Sequence, residues 1–451
     1  MTASELIQKY NVPGPRYTSY PPVPYWNLPK WEAADWISLI RKAQNKQTNR
    51  KLSLYIHLPY CDSLCTFCGC HKHITKNHQV EGRYIDAVLK EWQLIAPNLH
   101  PESEVEEIHL GGGTPTFFAA GELVRLINGL KATLPFSKTI ELSFEAHPNS
   151  TTEEHLVKLN QLGFRRVSFG IQDYDPVVQQ AIHRIQSAEQ VFSCHELAKN
   201  HGFSSISHDL VFGLPKQSME GFRNTVKQTL FLKPQRISLY SYAHVPWVKG
   251  TGQRGFDEAD LPSPELKRSL YEYAKNSFLQ EGYIEIGMDH FALPDDALAL
   301  AATGKKLHRN FMGYTTTSNE LLIGLGMSAI SDCKLGFAQN EKSVSEYLKR
   351  VESGELPLTK GHELDEKDLE IRQHILNLMC RFETVLPENT LLNKAEIVEK
   401  LSEMLNDELI SIRDNTVTVL PAGIPFVRNC CMAFDTYFEH DIATRKFSMT
   451  I

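Results

Sequence analysis

Between Leu52 and Gly287 the chain alternates short β-rich runs with helical stretches, and this alternation constrains the fold more than any other feature. The runs are Leu52–His57, Glu107–Leu110, Ile140–Glu145, Arg166–Phe169, Ser207–Val211, Arg236–Tyr240 and Tyr283–Gly287. Helices are expected over Tyr84–Ile95, Gly121–Leu134, Thr152–Leu162, Ala188–His201, Glu220–Leu232 and Pro264–Glu281. Thr151…Glu154 and Ser187…Gln190 read as capping boxes, and Ser263-Pro264 as an N-cap followed by proline in the first turn. Strand–helix alternation implies a parallel sheet, open or closed into a barrel. Such sheets place their sites at the carboxyl ends of the strands. The segments that come after the strands are distinctive: Gly111-Gly-Gly-Thr-Pro-Thr116, Glu145-Ala-His-Pro148, Gly170-Ile-Gln172, Gly213-Leu-Pro-Lys-Gln217 and Ala243-His244. A doubly wound nucleotide fold is the alternative, but no G-x-G-x-x-G comes after the first strand.

After the first run stands Cys61-Asp-Ser-Leu-Cys65-Thr-Phe67-Cys68-Gly-Cys70. A [4Fe–4S] cluster is normally held by four thiolates. Three thiolates at C-x3-C-x2-C spacing can hold three irons and leave the fourth open to a substrate. A zinc loop is the other reading, with Cys70 or His71 as fourth ligand. The spacing, with Phe67 before the third cysteine, resembles the signature of the radical S-adenosylmethionine (SAM) superfamily. That resemblance implies an open iron that chelates SAM, and reductive cleavage of SAM to a 5′-deoxyadenosyl radical.

Nine cysteines, four of them within ten residues, suit a cluster better than disulfides. Cys194, Cys333, Cys380, Cys430 and Cys431 read as small buried residues. A net charge of −7 argues against a general nucleic-acid binder. No apolar run is long enough to span a membrane and Met-Thr-Ala-Ser-Glu is no signal peptide, so a cytoplasmic location is expected. Residues 1–48 read as an arm and helix: Gly14–Pro22 is too proline-rich for a helix and should pack as an extended arm on the next domain. Trp31–Ala43 reads as amphipathic helix. Residues 49–345 form the catalytic barrel with its extension, in which Asp289–Phe291 and Leu307–Thr317 read as loops and glycine-rich Leu321–Ser331 packs closely on the barrel. Residues 346–451 form a smaller, mostly helical domain. Its helices at Asp365–Arg381 and Lys394–Asn406, a hairpin in Leu409–Leu420 and a helix at Phe426–Phe438 suggest a winged-helix-like shape, with a packing or lid role rather than DNA binding.

Three points on the strand ends carry chemistry of their own. Gly111–Gly113 lets backbone groups approach a ligand closely, or makes a tight turn. Glu145 ends a strand, where a carboxylate suits ribose hydroxyls, an ammonium group or a rim salt bridge. Gln172, Arg184 and Asp209 are polar residues of the same region.

Taken together, Gly14–Pro21, Tyr55–Lys72, His109–Thr116, Ser143–Pro148, Ser168–Asp173, Asp209–Gln217, Tyr242–Pro246, Gly287–Phe291, His308–Thr316, Gly324–Ser331 and the end Lys446–Ile451 resemble the oxygen-independent coproporphyrinogen III dehydrogenase (oxidase) family. The resemblance implies an α/β fold with a partial, six-stranded parallel β/α barrel, one [4Fe–4S] cluster on Cys61, Cys65 and Cys68, and two SAM molecules. It implies that Tyr55, Gly112, Glu145 and Ile330 contact the first SAM, and that Phe67, Gly113, Thr114, Gln172, Arg184, Asp209 and Ala243 contact the second. Cys70 matches a cysteine needed for activity but not for cluster ligation, Tyr55 joins it as a catalytic candidate, and the Gly14–Pro21 arm matches a segment that closes over the site.

The implied reaction converts two propionates of coproporphyrinogen III to vinyl groups, giving protoporphyrinogen IX. The implied partners are this substrate and an electron donor such as flavodoxin or ferredoxin, with no nucleic acid or membrane, acting on a monomer. The chemistry fits the cofactor, because no side-chain base removes an unactivated β-hydrogen, whereas a primary carbon radical does. A substrate with four carboxylates needs cations, and Arg16, Arg165, Lys216, Arg254, Arg309 and His290 are the candidates. A heme chaperone of the same radical SAM branch is the competing function; such relatives generally lack the Gly14–Pro21 arm and the Cys70 equivalent.

Overall fold

The first strand shows how the sequence builds the sheet. Its residues Leu52, Leu54, Ile56 and Leu58 are fully buried on one face, while Ser53 and His57 on the other are also buried. A strand covered on both faces belongs to a parallel sheet with helices outside. In a computed structural model, which describes residues 3–26, 31–46, 49–246, 252–253, 255–438 and 447–450, this is the strand β1, Lys51–Leu58. Contacts divide the chain into two units, one of residues 28–281 with 319–363, the other of 1–27, 282–318 and 364–451. Residues 346–363 therefore fall with the catalytic unit and 282–318 with the smaller one.

In the larger unit β1 is succeeded by β2 (Glu104–Gly112), β3 (Phe136–Ala146), β4 (Arg166–Gln172), β5 (Ser205–Phe212) and β6 (Arg236–Ser241), each paired in parallel with the one before. The helices α1 (Val80–Ile95), α2 (Ala120–Thr133), α3 (Glu153–Gln161), α4 (Ala188–Asn200), α5 (Met219–Leu232) and α6 (Pro264–Gln280) alternate with them. The expected six parallel strands are present, but the six-stranded barrel is corrected: among the described residues the larger unit carries a mixed sheet of ten strands. On the free edge of β1 the larger unit adds β7 (Leu322–Leu325), parallel to β1, and then the antiparallel β8 (Ile330–Asp332), β9 (Gly336–Asn340) and β10 (Leu358–Glu363).

Ser187 and Ser263 cap their helices as expected, accepting from the Gln190 and Leu266 N–H groups. The other box moves by one residue. Thr151 Oγ donates to the His147 carbonyl at 2.8 Å, so Thr152 becomes the cap of α3, and His155 completes the box in place of Glu154.

One buried network connects α1 to the strands beyond β7. The Glu91 carboxylate is fully buried and accepts from the Gly326 N–H, the Asn340 side-chain amide and the Tyr347 hydroxyl. Tyr84 OH donates to the His57 carbonyl and accepts from the Met327 N–H. The turn that leads into Ile330 is thereby held to the end of β1.

In the smaller unit, Asp289–Phe291 and Leu307–Thr317 are not simply loops. His290–Ala292 pairs with Ile284–Gly287, and His308–Asn310 with Gly313–Thr315, as short antiparallel strands. Helices Glu366–Arg381 and Lys394–Asn406 accompany a three-stranded antiparallel sheet in which Thr416–Val419 lies between Glu383–Val385 and Ile410–Arg413. The helix expected over Phe426–Phe438 stops at Met432. Asp435 Oδ1 accepts from the Tyr437 and Phe438 N–H groups, replacing helix bonds with a side-chain turn. Within this unit the Gly14–Pro21 arm packs on the far end of the chain. Tyr17 OH donates to Asp435 at 3.0 Å, and the buried Arg428 guanidinium donates to the carbonyls of Gly14, Pro15, Met449 and Thr450. Among the described residues no helix is long and apolar enough to cross a membrane.

Candidate active site

Strand parity gathers the site. Side chains alternate across a strand, so Tyr55 and His57 share one face of β1. Register then aligns Tyr55 with His109, His109 with Ser143, Glu145 with Ser168, Gly170 with Asp209, and Asp209 with Ser238. Polar side chains thus run across the inner face of six strands and bond to one another. His109 Nδ1 is 2.8 Å from Ser143 Oγ and its Nε2 is 3.4 Å from Glu145. Ser168 Oγ donates to Asp209 at 2.7 Å. Burial pushes Asp209 up to about 6, against the hydrogen bonds from Ser168 and Ser238 that favour its anion.

The carboxyl ends of these strands open into a cavity of about 260 Å³. Cys61, Cys65, Cys68, Cys70, Phe67, Gly112, Gly113, Thr114, Glu145, Gln172, Arg184 and Asp209 all line it. Among the described residues no three His, Cys, Asp or Glu side chains form a group that could hold a single metal ion. A four-iron cluster spreads its thiolates wider than one zinc does. Cys61, Cys65 and Cys68 share one cavity, and three thiols are the donor set that would hold a cluster with one iron open.

The glycine loop meets the cysteine loop through backbone. Gly113 N–H donates to the Leu58 carbonyl at 2.8 Å and Thr114 N–H to the Tyr60 carbonyl at 3.0 Å. A Cβ on Gly113 would stand 2.5 Å from the Pro59 carbonyl oxygen, so glycine alone permits this approach. Gly112 has φ +115°, and its N–H donates to Glu145 at 3.3 Å. Thr114 Oγ lies 3.3 Å from Cys61 Sγ. On the other limb, Lys72 Nζ donates to the carbonyls of Cys68 and Cys70, each at 3.3 Å. The hydrogen bond from the Cys70 thiol, more than the Lys72 ammonium, draws the Cys68 thiol below its ordinary range.

Gln172 ends β4, and Arg184 stands just beyond the short helix Pro176–Ala181 that comes after it. Gln172 adopts φ +67° after a register shift beyond Gly170. Arg184 donates to the Gly170 carbonyl at 2.6 Å and stands 3.7 Å from Cys65 Sγ. His147 also lines the cavity; its Nδ1 accepts from the Asn149 N–H, and burial, then Arg184, lowers it to about 3.

Three expected residues lie beside the cavity rather than on its lining. Tyr55 OH is 3.1 Å from His57 Nδ1, and its ring stacks on His109. Ile330 begins β8, and its carbonyl would be 2.4 Å from a Cβ on Gly324, the β7 partner of Tyr55. Ala243 is linked to Phe67 by Gln253, whose side-chain amide donates to both carbonyls at 3.0 and 3.1 Å.

Of the candidate cations, Arg165 bonds to the Asn160 and Phe164 carbonyls at the amino end of β4, away from the cavity, and Lys216 pairs with Asp260. Arg16, His290 and Arg309 belong to the smaller unit, and Arg254 lies outside the described residues. His57, His147, Ser168 and Gln253 are site residues that motif reading passed over. Parity with Tyr55 would have found His57; Ser168 meets Asp209 only through the register of two strands, and nothing in the sequence marks Gln253.

Comparison with known proteins agrees with this geometry. Residues 55–229 match the Radical SAM superfamily model. The oxygen-independent coproporphyrinogen III oxidase of Synechocystis is 36% identical over 100% of this chain and 98% of its own, and that of Escherichia coli K12 is 37% identical over 99% and 98%. The solved structure of coproporphyrinogen III oxidase from Escherichia coli, described as a radical SAM enzyme, superposes with a TM-score of 0.90 at 35% identity, covering 97% of this chain and 99% of that one. Likeness of this extent, from end to end of the chain, means that it belongs to the oxygen-independent coproporphyrinogen III oxidase family of radical SAM proteins.

Proposed function

We propose that this chain carries out the oxygen-independent oxidative decarboxylation of two propionates of coproporphyrinogen III, giving protoporphyrinogen IX in heme biosynthesis. The observation that carries the reading is one cavity on which three cysteines meet the polar ends of the neighbouring strands. Held by these residues, a cluster and SAM would supply the radical chemistry that the reaction needs: removal of a propionate β-hydrogen, with loss of carbon dioxide and of one electron to an external acceptor.

The chain's own residues hold and orient. Cys61, Cys65 and Cys68 are the cluster ligands. Tyr55, Gly112, Glu145 and Ile330 receive the first SAM: Glu145 offers a carboxylate to its polar groups, and Gly112 lets the ligand lie close against the backbone. Phe67, Gly113, Thr114, Gln172, Arg184, Asp209 and Ala243 receive a second SAM. The pairing of a cation at Arg184 with an acceptor at Asp209 suits the carboxylate and hydroxyls of that ligand. Cys70, exposed beside Cys68, acts on the substrate side without ligating iron. Nine free cysteines fit a reducing compartment, so we place the protein in the cytoplasm with a small redox protein as electron donor.

Anaerobic turnover with coproporphyrinogen III, SAM and a reductant tests the proposal. Vinyl product with two carbon dioxide, two methionine and two 5′-deoxyadenosine per substrate is expected. SAM cleavage without vinyl product, together with tight heme binding, would transfer the assignment to the heme chaperones.

A further inference from the structure

In the smaller unit, Arg309 and Tyr314 face each other across the short antiparallel pair His308–Asn310 and Gly313–Thr315. The guanidinium lies 4.6 Å from the centre of the Tyr314 ring. That ring is fixed, because its hydroxyl donates to the Met379 carbonyl at 2.9 Å and His290 packs edge-on against it at 5.4 Å. Arg309 is only 6% exposed, and its Nε is buried without an acceptor. Among the described residues no carboxylate pairs with it.

The surrounding charge makes this more unusual. Arg428 is 4% exposed and spends its hydrogen bonds on neutral carbonyls. Arg16 reaches Asp289 at 3.6 Å. Burial first, then Arg16 and more weakly Arg309, lowers Arg428 to about 9 against the opposing Asp289 and Tyr17, which marks the three guanidinium groups as electrostatic neighbours. Among the described residues, three guanidinium groups thus share this region with Asp289, which Arg16 already engages. Burying uncompensated charge is costly unless a partner arrives, and a guanidinium held over a fixed aromatic ring is positioned for the two oxygens of a carboxylate.

We propose that Arg309, held over the Tyr314 ring, is the receiving site for a carboxylate of the tetrapyrrole substrate. This rests on the proposed function, which supplies a substrate bearing four propionates. It assigns a role to one of six candidate cations among which sequence cannot choose.

The test titrates the full-length reconstituted protein with coproporphyrin III, the stable fluorescent porphyrin that carries the same four carboxylates, and with its tetramethyl ester. Arg309→Met should weaken the acid by roughly 10–100-fold, the range of one lost charge-assisted pair. Arg309→Lys should fall between, because an ammonium keeps the charge but loses the fork. The ester should bind weakly and equally to all three proteins, and iron content and SAM binding should match wild type. In turnover, KM for coproporphyrinogen III should rise more than kcat falls. Unchanged acid affinity in Arg309→Met overturns the proposal, as does an equal loss of acid and ester. If Arg309→Met melts early, Arg309→Lys decides: an acid affinity equal to wild type overturns the proposal, and selective loss of the acid supports it. The acid–ester contrast needs no turnover, so a wild type that never forms vinyl product defeats the decarboxylase reading while leaving this measurement to stand or fall alone.

Discussion

The Nε2 atom of His57 lies 2.8 Å from the carbonyl oxygen of His71, so one buried imidazole joins the end of β1 to the far limb of the cysteine loop. A carbonyl only accepts, so Nε2 carries the proton and Nδ1 accepts from Tyr55 OH at 3.1 Å. Burial lowers the pKa of His57, which keeps the ring neutral and this tautomer in place. The His57 ring also packs 3.0 Å from where a Cβ of Gly112 would stand. His57→Phe keeps a ring over Gly112 but removes both bonds, roughly 1 kcal/mol each. It should reduce iron and sulfide content after anaerobic reconstitution and speed loss of the cluster's visible absorbance, with little change in secondary structure by circular dichroism. Full, equally stable cluster loading would show that His57 does not hold the loop.

The four clustered cysteines should separate into two behaviours. Cys61, Cys65 and Cys68 line the cavity at half-buried positions, while Cys70 is exposed and its carbonyl is held by Lys72. Each triad Cys→Ser variant should assemble no cluster. Cys70→Ser should retain iron and SAM binding while product formation falls below detection. Iron and sulfide analysis beside anaerobic turnover reads both halves, and near-full iron in all three triad variants would undo the ligand assignment.

Much of this site is legible in the sequence because a parallel strand exposes its logic. Apolar Leu52, Leu54 and Ile56 give the buried face, and the residues between them give the inner face on which Tyr55 and His57 stand. The sheet's extension is harder to read. Leu322–Leu325 is buried on both faces like β1, but Gly324 and Gly326 weaken its strand signal, so it reads as a packing segment although it pairs with β1. Thr151 and Thr152 are equivalent in sequence as caps, and only the His147 carbonyl, placed by tertiary structure, decides between them. The early end of the helix at Met432 has the same origin, since Asp435 is a helix breaker only because it captures two N–H groups of its own turn.

Asp209 sets stability against binding. Its folded pKa of about 6 lies above its ordinary value of 3.8, with burial as the main cause. The sign comes from linkage: stability from this group is fully present below pH 3.8 and is lost as pH rises through about 6. Asp209→Asn should therefore melt higher than wild type at about pH 8, the gap should narrow by about half at about pH 5, and it should close only below 3.8. If the ionised carboxylate holds the second SAM, the same variant, or Asp209→Ala, should bind one SAM per chain where wild type binds two. Calorimetry at the two pH values and equilibrium dialysis against labelled SAM test these separately. A stoichiometry of two in Asp209→Ala would remove Asp209 from the site.

Two glycines of the site should respond oppositely to the same methyl group. A Cβ at Gly113 would lie 2.5 Å from the Pro59 carbonyl oxygen and 3.0 Å from Cys61 Sγ. The first of these is backbone, which cannot rotate away, so Gly113→Ala must push the glycine loop off the cysteine loop. The bonds from Gly113 N–H to Leu58 and from Thr114 N–H to Tyr60 would then lengthen together, and the first cluster ligand would move with them. At Gly69, inside the cysteine loop itself, an added Cβ meets nothing within 4 Å. Its φ is not in the left-handed region, so alanine there carries no backbone strain. Gly113→Ala should lower cluster content and SAM affinity by roughly tenfold or more, which is about 1.4 kcal/mol. Gly69→Ala should stay close to wild type in iron, SAM affinity and turnover, although it lies one residue from Cys68 and one from Cys70. Anaerobic reconstitution and then SAM titration on both variants gives the comparison. Equal damage from the two would mean that the cysteine loop's own mobility, rather than its contact with Gly113, governs cluster binding.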